Sequence, residues 1–342
     1  MINVALDAMG GDNAPKEMVK GAVDAVASRK DIKVILVGEE DIVKKELKNY
    51  SYPQEQIEVV HASEIIETAE SPVNAIRRKK DSSMVVGLKL VKEGAADAFV
   101  SAGNSGALMV GGQTIIGRIK GVSRAPFGAL LPTAAGPSLL IDSGANVDVR
   151  SSHLLQFARM GSIYMEHVIG ISKPRVGIVN IGAEEHKGNA LVKETFPLLK
   201  ECSDINFIGS VEARDIPQGA ADVIVCDGFT GNVVLKMFEG VGLTLVKQLK
   251  KGLMSSLRTK IGALLIKPAL KDMLKNFDAS QHGGAPILGL YGLVVKTHGN
   301  ATHLEIRNAI IQCVTFKEQN ISEKIQECLK AEEQAKENET KL

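Results

Sequence analysis

Short apolar segments alternate along this chain with longer segments of helical periodicity, and this alternation limits the fold more than any other feature. Most of the apolar segments are β-branched and apolar on both faces, which is typical of parallel strands covered by helices. The predicted strands are residues 2–6, 33–37, 57–60, 97–101, 137–141, 175–180 and 222–226. The predicted helices include residues 15–28, 83–93, 104–116, 152–168 and 188–200. This order predicts a doubly wound α/β/α fold around one buried, mostly parallel sheet.

The expected domain organisation is one α/β domain over residues 1–330. A length of 342 residues allows two domains or one large unit, and no internal repeat or low-complexity linker divides the chain. Residues 331–342 are highly charged and poor in apolar positions, so we expect a solvated, fraying helical tail.

A basic helical excursion is expected at about residues 240–280. Residues 247–275 contain eight basic residues and one acidic residue, so their local charge is +7, whereas the whole chain carries +1. Apolar residues recur there at helical spacing. They are Leu253, Leu257, Ile261, Leu264 and Leu265. We predict that Pro268 ends this helix and starts another, because proline removes a backbone donor and its ring disrupts the preceding turn.

The composition argues against nucleic acid as a partner, because 41 basic and 40 acidic residues nearly cancel and tryptophan is absent. The four cysteines are far apart in sequence and form no C-x-x-C motif, which predicts buried or idle thiols in a reducing compartment. The first residues do not resemble a signal peptide, and no segment of about 18 uninterrupted apolar residues occurs. We therefore expect a cytoplasmic protein that does not span a membrane.

Four glycine-rich or polar segments each follow a predicted strand, where an open α/β sheet binds its ligands. They are residues 7–13, 101–107, 180–189 and 227–232. Glycine lets the backbone approach a ligand closely, and the helix that follows offers unpaired N–H groups. One such segment alone is more simply a capped turn. Four segments on the same sheet edge favour an anion site, with phosphate as the first candidate.

Several common active sites are missing from the sequence. It contains no G-K dipeptide for a Walker A loop and no G-x-G-x-x-G for a dinucleotide. It also contains no G-x-S-x-G nucleophile elbow and no H-E-x-x-H zinc helix.

Individual polar residues in these loops have two interpretations each. His186 and Lys187 could contact a bound anion beside Glu184 and Glu185, or could simply be solvated. Arg124 and Arg150 are further candidates for phosphate binding, with ordinary surface exposure as the alternative. Aspartates at strand ends could cap turns or bind Mg²⁺, and the metal is the minor alternative because carboxylates without a metal repel phosphate. They are Asp7, Asp12, Asp142 and Asp227.

Six segments together carry a family resemblance. They are DAMGGD at 7–12, SAGNSGA at 101–107, DSGAN at 142–146, NIGAEEHKGN at 180–189, CDGFTGNVVLK at 226–236 and GGAPILG at 283–289. In this order they resemble the bacterial acyl-acyl-carrier-protein:phosphate acyltransferases over nearly the whole chain. The one departure is Ser105, where threonine is expected, and it keeps the hydroxyl.

The resemblance implies a fold similar to isocitrate and isopropylmalate dehydrogenases and to phosphotransacetylases. It also implies a homodimer attached peripherally to the inner face of the cell membrane. The implied reaction transfers a fatty acyl group from acyl carrier protein to inorganic phosphate for phospholipid synthesis, with no cofactor. A further implied partner is the downstream glycerol-3-phosphate acyltransferase.

The resemblance implies roles for particular residues. Lys187 and Asn232 are the predicted catalytic residues, and His186 is a weaker candidate for proton transfer. The expected substrate-binding residues are Asp7, Gly10, Gly11, Asp12, Gly103, Asn104, Ser105, Arg124, Asp142, Asn146, Asn180, Glu185, Asp227 and Thr230. No metal ligands are expected.

The basic segment retains two interpretations. It could form a helical pair at a dimer interface whose lysines keep the outer face soluble, which the sequence alone favours. It could instead lie on anionic lipid, where each basic residue contributes about 1 kcal/mol. The expected membrane contacts are Leu253, Leu257, Arg258, Ile261, Leu264 and Leu265. The same patch could also bind the acidic carrier protein.

Two other functions remain open from the sequence. A metal- and NAD-dependent decarboxylating dehydrogenase would have the implied fold. A noncatalytic scaffold at a lipid surface is the second alternative.

Overall fold

The computed structural model describes residues 1–276 and 283–340. The strands of the described residues are β1 (Ile2–Asp7), β2 (Ile32–Gly38), β3 (Ile57–His61), β4 (Ala98–Ser101), β5 (Gly128–Thr133), β6 (Gly136–Ile141), β7 (Arg175–Asn180), β8 (Asn206–Glu212), β9 (Val223–Val225), β10 (Ala285–Ile287) and β11 (Leu293–Lys296). The α-helices are α1 (Lys16–Ser28), α2 (Glu40–Leu47), α3 (Pro72–Arg78), α4 (Ser83–Lys92), α5 (Ser105–Gly111), α6 (Ser151–Tyr164), α7 (Ala190–Glu201), α8 (Gly228–Leu253), α9 (Leu257–Asn276), α10 (His303–Glu318) and α11 (Ile321–Thr340).

The strands form two sheets. The first has the order β10-β11-β4-β1-β2-β3 and the second the order β5-β6-β9-β7-β8. All neighbours are parallel except β10 with β11 and β5 with β6. The expectation of a single sheet is therefore wrong. Antiparallel β5 and β10 end the two parallel ladders, and one isolated bridge, between Phe127 and Ile287, joins these edges.

The predicted α/β architecture with parallel strands between helices is confirmed. Each of the seven predicted strands coincides with an observed one, and each of the five predicted helices is found. Helices α5 and α6 continue into π-helical turns at Gly112–Ile116 and Met165–Ile169. Strands β5, β8, β10 and β11 were not predicted.

The core spans both sheets. Buried apolar side chains of the first sheet, such as Val4 and Leu36, belong to the same cluster as Ile141, Val176 and Val225 of the second. This continuity leaves the strand ends of both sheets at fixed positions relative to the shared core.

The basic excursion is a pair of exposed helices. Helix α8 begins with Gly228 and Gly231 buried in the protein body, whereas residues 240–252 are exposed. The chain turns after Leu253, and Ser256 begins α9 by accepting from Thr259 N (3.2 Å) while its own N–H donates to Thr259 Oγ1 (3.0 Å). This reciprocal pair is a capping box.

The prediction that Pro268 ends a helix is wrong, because Pro268 lies inside α9. The carbonyl that loses its donor belongs to Leu264, whose surroundings are exposed, so water can satisfy it. The last part of the predicted excursion, residues 277–280, lies outside the described residues. Of the helices described, α8 alone has the length and apolar composition that could cross a membrane.

The C-terminal segment packs on the core through its first turns. Ile321, Ile325 and Leu329 are buried at successive turns of α11. The helix continues to Thr340, and residues 341 and 342 of the predicted tail lie outside the described residues.

The cysteines lie on separate elements, and none forms a disulfide. Cys226 and Cys313 are buried, whereas Cys202 and Cys328 are partly buried.

Candidate functional site

The loops after β1 and β4 meet around a buried carboxylate, Asp7. Ser101 Oγ donates to Asp7 Oδ2 (2.7 Å), and Met9 N donates to Asp7 Oδ1 (3.2 Å). Gly103 N in turn donates to Ser101 Oγ (3.0 Å). Burial raises the pKa of Asp7, although hydrogen bonds from Ser83 and Ser101 oppose the rise. Asp7 therefore fixes the relative positions of two of the predicted loops.

Glycines allow these loops and the loop after β11 to pack closely. A Cβ atom at position 10 would lie 2.4 Å from Asp7 Oδ2. Gly11 has φ +98°, and a Cβ there would lie 2.8 Å from Gly299 O. Asp12 N donates to the same Gly299 carbonyl (2.7 Å). Three strand ends of the first sheet thus form one continuous surface of backbone and small side chains.

The loop after β6 is built around a second buried carboxylate, Asp142. It accepts from the backbone N–H groups of four residues and from Asn146 Nδ2 (2.8 Å). The backbone donors are Phe127 (3.0 Å), Gly144 (3.1 Å), Ala145 (2.9 Å) and Asn146 (2.7 Å). Burial raises the pKa of Asp142, and these hydrogen bonds oppose the rise. Asp142 and Asn146 therefore hold the loop in shape.

The start of α8 contacts this loop. Asp227 caps the helix by accepting from Thr230 N (2.8 Å) and from Thr230 Oγ1 (2.7 Å). A Cβ at position 144 would lie 3.5 Å from Asn232 Oδ1, so the predicted catalytic amide lies against the loop after β6. The Asn232 side chain is exposed.

The loop that contains Lys187 follows β7 and is mostly exposed. Lys187 Nζ pairs with Glu184 Oε2 (2.8 Å), and Glu185 pairs with Lys200 (2.8 Å). Asn180 supports the loop by donating to the Lys187 carbonyl (3.2 Å). His186 is exposed. In this structure the ammonium of Lys187 is therefore already paired within its own loop.

Other predicted site residues have structural contacts or lie on the surface. Asn104 caps α5 through Ala107 N (3.0 Å), and its Nδ2 donates to the carbonyls of Glu67, Thr68 and Glu70. Ser105 is exposed at the start of α5. Burial lowers the pKa of His153, and nearby Arg124 and Arg150 lower it further. The two arginines thus lie close to His153 beside the loop after β6, and the lowered pKa of His153 favours its neutral form.

Sequence reasoning missed the residues at the end of β11. Lys296 Nζ donates to the Ala102 carbonyl (3.2 Å) and to the Thr297 carbonyl. His298 Nε2 lies 3.7 Å from Glu239 Oε1 of α8, and Lys236 pairs with the other oxygen of Glu239 (2.8 Å). Desolvation lowers the pKa of Lys296 to about 8. Only the position of Lys296 at the end of an apolar strand could have indicated it.

The structure divides the four predicted loops between the strand ends of two sheets, so the expectation of one shared sheet edge is wrong. One group joins the ends of β1, β4 and β11, another joins the ends of β6 and β9, and the loop that contains Lys187 follows β7 of the second sheet. The pair formed by His298 and Glu239 connects the two groups across α8. Within the described ranges, no three His, Cys, Asp or Glu side chains cluster in a way that could hold a metal ion.

The sequence matches one protein family over most of its length. A family model described as "Fatty acid synthesis protein" matches residues 2–324. The chain is 51% identical over 322 residues to a phosphate acyltransferase of Clostridium acetobutylicum, covering 94% of this chain and 97% of that protein. It is 52% identical over 326 residues to a phosphate acyltransferase of Alkaliphilus oremlandii, covering 95% and 97%.

Solved structures share the fold at low sequence identity. A phosphotransacetylase from Streptococcus pyogenes superposes with a TM-score of 0.62 at 16% identity, covering 92% of this chain and 94% of that chain. A branched-chain phosphotransacylase from Enterococcus faecalis gives a TM-score of 0.56 at 14% identity, covering 92% and 98%. These similarities confirm the expected relationship to the phosphotransacetylase fold.

Proposed function

Because the chain belongs to the fatty acid synthesis family and is an enzyme of the phosphate acyltransferase type, we propose that its acyl donor is the thioester of acyl carrier protein. The product would be an acyl phosphate that serves phospholipid synthesis. The observation that carries this proposal is the similarity to phosphate acyltransferases along more than nine-tenths of the chain.

The reaction needs few groups from the protein. A phosphate oxygen attacks the thioester carbonyl carbon, the carbon–sulfur bond breaks, and the carrier leaves as a thiol after taking up one proton. The leaving thiol has a pKa of about 8.5, so proton donation need only be modest. The enzyme must hold the phosphate in line and stabilise the developing oxyanion.

The residues proposed for this chemistry lie at the strand ends of the second sheet. Lys187 would stabilise the phosphate or the oxyanion after exchanging its contact with Glu184 for the substrate. Asn232 would donate from its exposed amide beside Gly144. His186 remains the weaker candidate for proton transfer. We also propose that the remaining predicted substrate-binding residues contact the substrates. Among them, Asp142, Asn146 and Asn104 hold the loops in shape.

The function is tested by thiol release from a labelled acyl-carrier thioester. We expect thiol release to require phosphate and to be the same with or without NAD and divalent metal. The alternative dehydrogenase would need NAD and a divalent metal for its own reaction. Lys187→Ala should raise the barrier by about 3 to 4 kcal/mol. Lys193→Ala, an exposed lysine on the following helix, is the matched control and should keep full activity. A wild-type protein that releases no thiol with phosphate would refute the function.

Membrane contact by the tip formed by α8 and α9 is part of the same proposal. Leu257, Leu264 and Leu265 are 77%, 70% and 77% exposed, and Ile261 is 57% exposed, among several lysines. A soluble surface rarely shows so many large apolar side chains together, and such surfaces bind partners or membranes. Homodimer formation through part of this apolar surface is compatible with lipid contact at the tip.

Vesicle flotation separates these uses of the tip. Leu257→Glu with Ile261→Glu should abolish flotation with anionic vesicles, whereas Ile42→Glu with Val73→Glu adds the same charge elsewhere and should retain it. Flotation that survives the tip variant would refute lipid contact, and sedimentation of the same variant reports whether dimer formation uses these side chains. We further propose that residues 1–330 form one domain, as the shared core supports. The glycerol-3-phosphate acyltransferase partnership stays a prediction of the resemblance.

A further inference from the structure

Lys296 is a partly buried cation with incomplete hydrogen bonding. An ammonium group has three donors, and Lys296 Nζ uses two of them on the carbonyls of Ala102 and Thr297. Across residues 1–276 and 283–340, no carboxylate lies within 4 Å of this ammonium. One donor is therefore available for a ligand.

The surroundings of Lys296 do not neutralise it at close range. The charged groups that act on it from a greater distance are Glu305 of α10, Asp7 of β1, Asp12 of the following loop and Lys236 of α8. Lys236 repels the ammonium, and its own charge is already paired with Glu239. Withdrawing a cation from water without a close partner costs free energy, and an anion from solution would recover it.

A buried hydroxyl next to Lys296 also has no hydrogen-bond partner within the described part of the chain. It is Thr297 Oγ1. Buried polar atoms without a partner are rare in proteins. Because a hydroxyl can donate as well as accept, Thr297 could bind the same anion as Lys296.

Lys296 lies at the junction of three loops. The Ala102 carbonyl that accepts from it immediately precedes Gly103, and the Gly299 carbonyl after β11 accepts from Asp12 N (2.7 Å). The ammonium is therefore placed where the loops after β1, β4 and β11 meet.

Building on the proposed function, we propose that Lys296 binds the attacking phosphate. Its third N–H donates to a phosphate oxygen, and its charge offsets the charge of the nucleophile while the phosphate is held at the ends of β1, β4 and β11. Lys296 stays protonated throughout: a different phosphate oxygen forms the bond to the carbonyl carbon, and the carbon–sulfur bond breaks as before. This assignment leaves Lys187 and Asn232 for the oxyanion.

Direct phosphate binding to the full chain tests the assignment without turnover. Lys296→Met removes the charge at similar length, and isothermal titration with inorganic phosphate should show 10- to 100-fold weaker binding. In steady-state assays the KM for phosphate should rise by the same factor, while the KM for the acyl thioester stays unchanged. Lys33→Met, on β2 where the ammonium pairs with Glu58, is the matched control and should bind phosphate normally.

The outcomes separate this inference from the proposed function. A folded Lys296→Met variant that binds phosphate as tightly as the wild type overturns the role of Lys296. A wild-type protein that binds phosphate through Lys296 but forms no acyl phosphate refutes the transferase function alone. If the methionine variant does not fold, wild-type phosphate affinity between pH 7 and 9.5 decides, because affinity that does not fall at the higher pH overturns the inference.

Discussion

Asp142 and Asp7 are both buried at the carboxyl ends of strands, yet their surroundings differ. Asp142 accepts five hydrogen bonds from its own and neighbouring loops, and no described cation lies within 4 Å of it. Asp7 shares its surroundings with Lys296, whose ammonium has a donor to spare and whose neighbour Thr297 has an unpartnered hydroxyl. The loop around Asp142 is satisfied by the protein, whereas the loops around Asp7 are not.

The difference indicates which polar groups support the fold and which are available to bind. A buried group whose hydrogen bonds are complete contributes to loop shape, and a ligand would have to break those bonds. A group with a spare donor gains from a ligand. The two loop groups therefore predict opposite responses to mutation, with stability affected at Asp142 and binding affected at Lys296.

The largest effect is expected on stability at Asp142. Asp142→Ala removes the acceptor for four donors in the loop after β6 and for Phe127 N, and each donor left unsatisfied costs about 1 to 3 kcal/mol. We expect a loss of more than about 4 kcal/mol in the free energy of unfolding, measured by urea denaturation. Asp148→Ala makes the same change at an exposed position and should leave the midpoint unchanged. Equal midpoints for both variants would contradict the structural role of Asp142.

Removing the charge of Lys296 should instead raise the free energy of unfolding. Its pKa falls from 10.5 to about 8 on folding, so below pH 8 the lysine is charged in both states and burial costs about 3 kcal/mol. That penalty declines as pH rises from 8, because the unfolded state then binds more protons, and it is gone above 10.5. At pH 7 the free energy of unfolding of Lys296→Met should therefore exceed that of the wild type by about 1 to 3 kcal/mol. The lost hydrogen bonds to two carbonyls reduce this gain.

The pH dependence checks this argument independently of the absolute gain. Urea denaturation at pH 7 and pH 10 should show the wild type gaining stability relative to Lys296→Met as pH rises. The difference in the free energy of unfolding between the wild type and the Lys33→Met control should be the same at both pH values. A constant difference between wild type and Lys296→Met would mean that Lys296 is not desolvated in the folded protein.

A smaller effect is expected on the pH profile of the reaction. If charged Lys296 binds phosphate, kcat/KM for phosphate should fall above about pH 8 as the free enzyme loses this proton. Lys236 lowers the pKa of Lys296 by repulsion, so Lys236→Met should move the decline to higher pH. Glu305, Asp7 and Asp12 raise this pKa and are unchanged in the variant. A decline at the same pH in both proteins would assign it to another group.

The sequence was informative about elements and loop motifs but not about Lys296. Continuous apolar runs identified the central parallel strands, since burial on both faces requires such a pattern. Strands β5 and β8 were missed because β5 contains Pro132 and β8 contains Gly209 at φ +101°, which weaken the strand pattern. Antiparallel β5 and β10 end the two parallel ladders, so missing both explains the error about a single sheet.

The two lysines illustrate the same limit for the candidate site. Lys187 stands in a recognisable polar loop, so the sequence indicated it, although its pairing with Glu184 became visible only in the structure. Lys296 ends an unremarkable apolar strand. Its importance depends on contacts with Ala102, 194 positions earlier, and on the absence of a nearby carboxylate among the described residues, neither of which local patterns encode.

The smallest effect is expected at Glu184, and it sharpens the contrast between the two lysines. Lys187 and Glu184 are 41% and 52% exposed, and exposed ion pairs contribute little to stability. Glu184→Gln should therefore leave the denaturation midpoint unchanged. It also removes the carboxylate that competes with substrate for Lys187, so kcat/KM should stay equal or rise slightly.

The isosteric Glu185→Gln, which leaves the pair of Lys187 intact, should change neither quantity. A clear loss of activity in Glu184→Gln alone would show that the pair orients Lys187 for the reaction, and the exposed loop would then be as preorganised as the buried one.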